Sequence, residues 1–162
     1  MRSQYIALFI SILSVSGTLT TPAAAQSTAP HPATVPTQHA PRAHGELVIV
    51  LTSGMEDIQA MNMAFRQARA AADLHQLTSV TVLVYGRGVQ ALNGGMPARP
   101  PQTAQFARDA LAAGVRIVVC ANALQQMGVA AEQLDPHPTE VVANATTTLV
   151  EFATRGATVI RY

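Results

Sequence analysis

Three stretches of this chain, LVIVLT at 47–52, SVTVLVYG at 79–86 and RIVV at 116–119, are almost continuously apolar and rich in β-branched residues. A strand with one wet face alternates apolar and polar side chains, so a near-unbroken run marks a strand covered on both faces, which is the situation of a parallel sheet. Parallel neighbours also need a long crossover between them. Each gap here is long enough to hold one, and each carries a helical period.

The first gap, SGMEDIQAMNMAFRQARAAADL at 53–74, places Ile58, Met61, Phe65, Ala68 and Ala72 on one stripe. Ser53 followed by Glu56 has the spacing of a capping box at its start. The methionines share the stripe's period and so read as core. After the second strand, GRGVQALNGG lacks both GxGxxG and a GK[ST] ending, so it is not a phosphate cradle. MPARPP is a loop, and QTAQFARDALAAG at 102–114 is a helix with Phe106, Ala107, Ala110 and Ala113 inward and Gly114 as its stop. Beyond the third strand come a short helix, ANALQQM at 121–127, and a polar loop, VAAEQLDPHPTE. EVVA at 140–143 is a fourth strand, NATTTLVEFATRG at 144–156 a helix capped by Asn144 and stopped by Gly156, and ATVIRY the last strand. The alternation predicts an α/β fold, a five-stranded, mainly parallel sheet with helices on both faces in a flavodoxin-like layout. Strand order is not readable from the chain.

What precedes Glu46 reads differently. Residues 1–25 have the pattern of an export signal: Arg2, the apolar YIALFISILSVSGTL, then small residues ending at Ala25. The apolar run is about 15 residues, short of the ~20 a spanning helix needs. Cleavage is therefore expected and an uncleaved anchor is the alternative. Residues 26–45 are rich in Pro, Ala, Thr and His without apolar period, the composition of a flexible linker. Its His31, His39 and His44 have no compact metal-site spacing and no acidic or Cys companions, so no metal is expected. Residues 46–162 form the folded domain, and the expected location is periplasmic or secreted.

Charge narrows the function classes. All ten basic side chains are Arg and nine residues are acidic, so loss of Arg2 with the signal leaves no net charge. There is no basic face for nucleic acid. Once the signal is removed, nothing points to a membrane. Glu56 and Asp57 suit the first turn of a helix, where the dipole favours carboxylates. Asn144-Ala-Thr has the form of a glycosylation sequon but also serves as a cap.

One cysteine remains, Cys120, where the third strand ends and the short helix begins. Ligands of open α/β sheets gather outside the carboxyl ends of strands, and a helix start favours an anion, so this is a suitable place for a thiolate. A lone cysteine after IVV is equally well placed as a small core hydrophobe. With no second cysteine there is no internal disulfide. A free thiol, an intermolecular bridge or a sulfur adduct are the remaining states.

LVIVLTSGMEDI, VYGRGVQALN, AAGVRIVVCANAL and TEVVANATTTLVEFATRGATVIRY together make residues 47–162 resemble the DsrE/DsrF-like (DsrEFH) family of sulfur-relay proteins. The resemblance implies a small α/β homo-oligomer without cofactor, passing sulfane sulfur between the thiols of protein donors and acceptors. It implies that Cys120 is the persulfide carrier. Ala121, Asn122 and Ala123 would then bind the sulfur anion, and Gly86 and Arg87, with Tyr85, would line the same crevice if the second and third strands are neighbours. The alternatives are a non-catalytic binding or oligomeric scaffold and a single-cysteine redox sensor. The relay members known for this activity act in the cytoplasm, whereas residues 1–25 of this chain have the pattern of an export signal.

Overall fold

The computed structural model describes residues 43–162. The expected signal, most of the linker, and His31 and His39 lie outside the described residues. Strands β1 (Glu46–Leu51), β2 (Ser79–Val84), β3 (Arg116–Cys120), β4 (Glu140–Val142) and β5 (Thr158–Arg161) alternate with helices α1 (Ile58–Asp73), α2 (Pro101–Ala112), α3 (Ala121–Gln126) and α4 (Ala145–Thr154). They form one sheet in the order β4-β3-β2-β1-β5, and every pairing is parallel. The α/β layout agrees with the expectation. The order itself differs from the 2-1-3-4-5 of flavodoxin.

The unbroken apolar runs are where doubly covered strands require them. β1, β2 and β3 occupy the middle of the sheet, and Val48, Ile49, Leu51, Val82, Leu83, Val84, Ile117 and Val119 are fully buried. The shorter edge strands are wetter, with Val141 and Val159 exposed. The first three crossovers each step to the next strand in one direction, whereas the last returns across the sheet to set β5 beside β1. Since such crossovers are right-handed, α1 and α2 share one face and α4 covers the other. α1 buries Met61, Ala64, Phe65 and Ala68, and α2 buries Thr103, Ala104, Ala107 and Ala110. The Thr103 hydroxyl donates to Asn62 Oδ1 at 2.7 Å and ties the two helices together. α4 is anchored by Ala145 and Phe152.

Several local details depart from the sequence expectation. Ser53 and Glu56 do not form a capping box: Glu56 Oε1 accepts from Gly54 N, residues Met55–Asp57 make a 3₁₀ turn, and Asp57 caps α1 by accepting from Ala60 N. That turn shifts the helix start, which leaves Ile58 exposed while the rest of the stripe faces inward. In α2 the inward set is displaced towards the N-terminus: Ala113 is the C-cap and Phe106 is only half buried. Residues Gly86–Leu92, to which the sequence assigns no element beyond a glycine-containing turn, form a 3₁₀ helix packed against the end of β1. A Cβ at Gly88 would lie 2.3 Å from the Leu51 carbonyl oxygen, so only glycine fits that approach. The polar loop 129–140 is fastened to it by an Asn93–Leu134 bridge, and Asp135 receives both Arg99 and Arg108.

Candidate functional site

The reversal of direction in the sheet creates a crevice. After β3 the chain turns into α3, bound for the α1/α2 side, whereas after β4 it turns into α4 on the opposite face. Loops that leave neighbouring strand ends in opposite directions part from one another, and ligands of open α/β sheets settle in the gap. Cys120 ends β3 in that gap. It pairs in register with Val142 of β4; Val118 and Val142 meet Thr148 and Phe152 of α4, so Cys120, two residues on from Val118, points to that same face.

The crevice encloses about 230 Å³. β2 contributes its end, Tyr85 and Gly86; α3 contributes Asn122, Ala123 and Gln126; the start of α4 contributes Asn144, Ala145 and Thr146. The carboxamides and hydroxyls among them supply hydrogen-bond donors and acceptors, and among the described residues no lining side chain is charged. Cys120 is 5% exposed, and its Sγ lies 3.8 Å from the Ala143 carbonyl oxygen, within range of a weak S–H···O bond. Cys120 is thus buried, yet it lines the polar crevice. Cys120 is also the N-cap residue of α3, where no side chain caps the first-turn amides, whereas α1 and α4 are capped by Asp57 and Asn144.

The sequence-derived site residues separate cleanly. Cys120, Asn122, Ala123 and Gly86 line the crevice, and Tyr85 joins them because β2 is the neighbour of β3. Gly86 takes φ 56°, a backbone conformation suited to glycine at this turn. Ala121 is half buried in the first turn of α3 and does not line the crevice. Arg87 does not belong there either: it is turned towards β1, its side chain 65% exposed and 3.0 Å from Glu56 Oε1. The Gly54 amide, Glu56's own backbone N–H and the charge of Arg87 together lower the pKa of Glu56, so this carboxylate is engaged outside the crevice. Gln126, Ala145 and Thr146 were not anticipated, and Asn144 was expected only as a cap. Gln126 lies four residues after Asn122 and so shares its side of α3. The α4 residues carry no such signal, because their approach depends on β3 and β4 being neighbours. Among the described residues no three His, Cys, Asp or Glu side chains gather as a metal site, and no helix is long and apolar enough to cross a membrane.

Residues 46–162 match the family model of the DsrE/DsrF-like family. The chain belongs to that family, which is generally linked to sulfur relay. Its structure is similar to that of a protein of unknown function, MTH1491, from Methanobacterium thermoautotrophicum, at 22% identity over 74% of this chain and 100% of the other, with a TM-score of 0.61. A conserved protein of unknown function, BT1422, from Bacteroides thetaiotaomicron matches at 19% identity over 76% and 100% of the two chains, with a TM-score of 0.59. The ychN protein from E. coli matches at 17% identity over 74% and 100%, also with a TM-score of 0.59. These likenesses establish the shared fold. No curated protein sequence matches the chain.

Proposed function

We propose that this chain is an exported sulfane-sulfur carrier that works through Cys120. The observation that carries the reading is the position of the only cysteine of a DsrE/DsrF-like chain, at the switch in sheet direction and on the wall of a polar crevice. In the forward step the Cys120 thiolate attacks the outer sulfur of a donor R–S–SH. The donor S–S bond breaks, R–S⁻ leaves, and Cys120 becomes Cys120–S–SH. An acceptor thiolate then attacks that outer sulfur and restores the Cys120 thiolate. No resolving cysteine competes, so the adduct persists between the two encounters.

The uncapped amides at Asn122 and Ala123 would steady the sulfur anion. The partners are protein donor and acceptor thiols, and copies of the chain assemble with one another. No cofactor enters the cycle. The sequence pattern of residues 1–25 supports export, and N-terminal sequencing of the exported protein should begin at Gln26.

Treatment of the purified protein with a persulfide donor should add one sulfur atom to its intact mass, and Cys120→Ser should add none. The near-burial of Cys120 and its contact with Ala143 favour a second reading, a binding or oligomeric scaffold in which the cysteine only packs. The scaffold predicts no sulfur adduct. A redox sensor predicts instead a reversible dimer through Cys120 under mild oxidant.

A further inference from the structure

We infer that the crevice admits sulfur from donors whose leaving group carries little charge and rejects thiosulfate. This rests on the carrier reading above and adds the class of donor. The observation is electrostatic. The surfaces around Cys120 are presented by Tyr85, Asn122, Gln126, Asn144 and Thr146, all uncharged. The nearest basic residue in sequence to the lining, Arg87, adjoins Gly86 but pairs with Glu56 at 3.0 Å and does not line the crevice.

Two donor reactions differ in the charge they assemble at this place. With a persulfide on a neutral carrier, Cys120–S⁻ and R–S–SH give Cys120–S–SH and R–S⁻. One S–S bond breaks, one forms, and a single negative charge is present throughout. With thiosulfate, Cys120–S⁻ and ⁻S–SO₃⁻ give Cys120–S–S⁻ and SO₃²⁻. Here a dianion must approach a thiolate and a dianion must leave, so three negative charges share the crevice. Fixed cations would be needed to stabilise that transition state, and carboxamides and hydroxyls supply only dipoles. The same carboxamides suit an uncharged, amide-bearing donor, since each offers both a donor and an acceptor.

The test measures the rate of sulfur addition by intact mass, with thiosulfate and with the persulfide of N-acetylcysteine amide at equal concentration. The wild-type protein is expected to load from the neutral persulfide and to be slower with thiosulfate by on the order of tenfold to a hundredfold. Asn122→Arg and, separately, Gln126→Arg put a cation on the exposed rim of α3 and should raise the thiosulfate rate relative to the neutral-donor rate by about tenfold. Wild-type loading at similar rates from both donors, or arginine variants with unchanged preference, would overturn the selectivity and leave the carrier reading intact. No loading from either donor would overturn the carrier reading itself.

Discussion

At the scale of single residues, the protein holds one group in apparent conflict with its surroundings and one that settles such a conflict. Thr81 is fully buried in the middle of β2, and its hydroxyl has no hydrogen-bond partner among the described residues. Thr81→Val keeps the shape and removes the unsatisfied oxygen, so it should stabilise the fold by about 1 kcal/mol, read as a higher urea midpoint at unchanged slope. Arg99 settles the opposite case: its side chain is 9% exposed, and its guanidinium reaches the Ala91 and Asp135 carbonyls and, at 2.8 Å, the Asp135 carboxylate. Asp135→Asn should cost about 1–2 kcal/mol, between the values for exposed and for buried pairs, because Arg99 is buried and the carboxylate itself is half exposed. The Arg99 hydrogen bond, followed by Arg108, lowers the pKa of Asp135. A lowered carboxyl pKa stabilises above the unfolded value near 3.8, and that contribution is lost as pH falls through the lower folded value. The stability gap between wild type and Asp135→Asn should therefore be constant near neutrality and close below about pH 4, as thermal melts across pH will show. Cys120 was legible in the sequence because it is the only thiol and sits between a strand pattern and a helix pattern. Arg87 was misplaced for a reason sequence cannot expose, since its partner Glu56 is 31 positions away in the chain and meets it only after folding.

At the scale of elements, the buried strands announced themselves through their apolar runs, and the helices through period and caps. The details that failed lie at joints. The 3₁₀ turn at Met55–Asp57 delays α1 by a few residues, and the glycine-containing Gly86–Leu92 looks like loop until Leu51 is packed against it. α4 is the element that matters most to the crevice, because its first turn forms one wall and it is held down by only two buried side chains, Ala145 and Phe152. Phe152→Ala should cost about 3–4 kcal/mol and loosen α4. Alkylation of Cys120 in the native state should then accelerate by about tenfold or more, since local opening of that wall becomes more frequent. Phe65→Ala removes a comparable ring from α1 on the other face. It should destabilise similarly while leaving the alkylation rate, measured well below the melting temperature, close to that of wild type. Equal acceleration in both variants would show that α4 is not the gate.

For the whole molecule, the missing information was strand order. β1 and β5 pair although more than a hundred positions separate them, and no local pattern specifies that partner. Once that pairing is known, the reversal between β3 and β4 follows, and with it the crevice. The same arrangement leaves Val150 exposed on α4 and Val159 on the β5 edge. If copies assemble through the outer side of α4, sedimentation velocity should show a species larger than one chain, and Val150→Glu should shift it towards the monomer. The chain enters the sheet at its other end, where His44 donates to the Gln76 carbonyl and Thr78 to that of Gly45. A six-residue strand spans roughly 20 Å, so this entry point and the thiol stand at opposite poles of the domain. A partner seated at the entry point would therefore leave the thiol's end of the sheet uncovered, free to meet a second one.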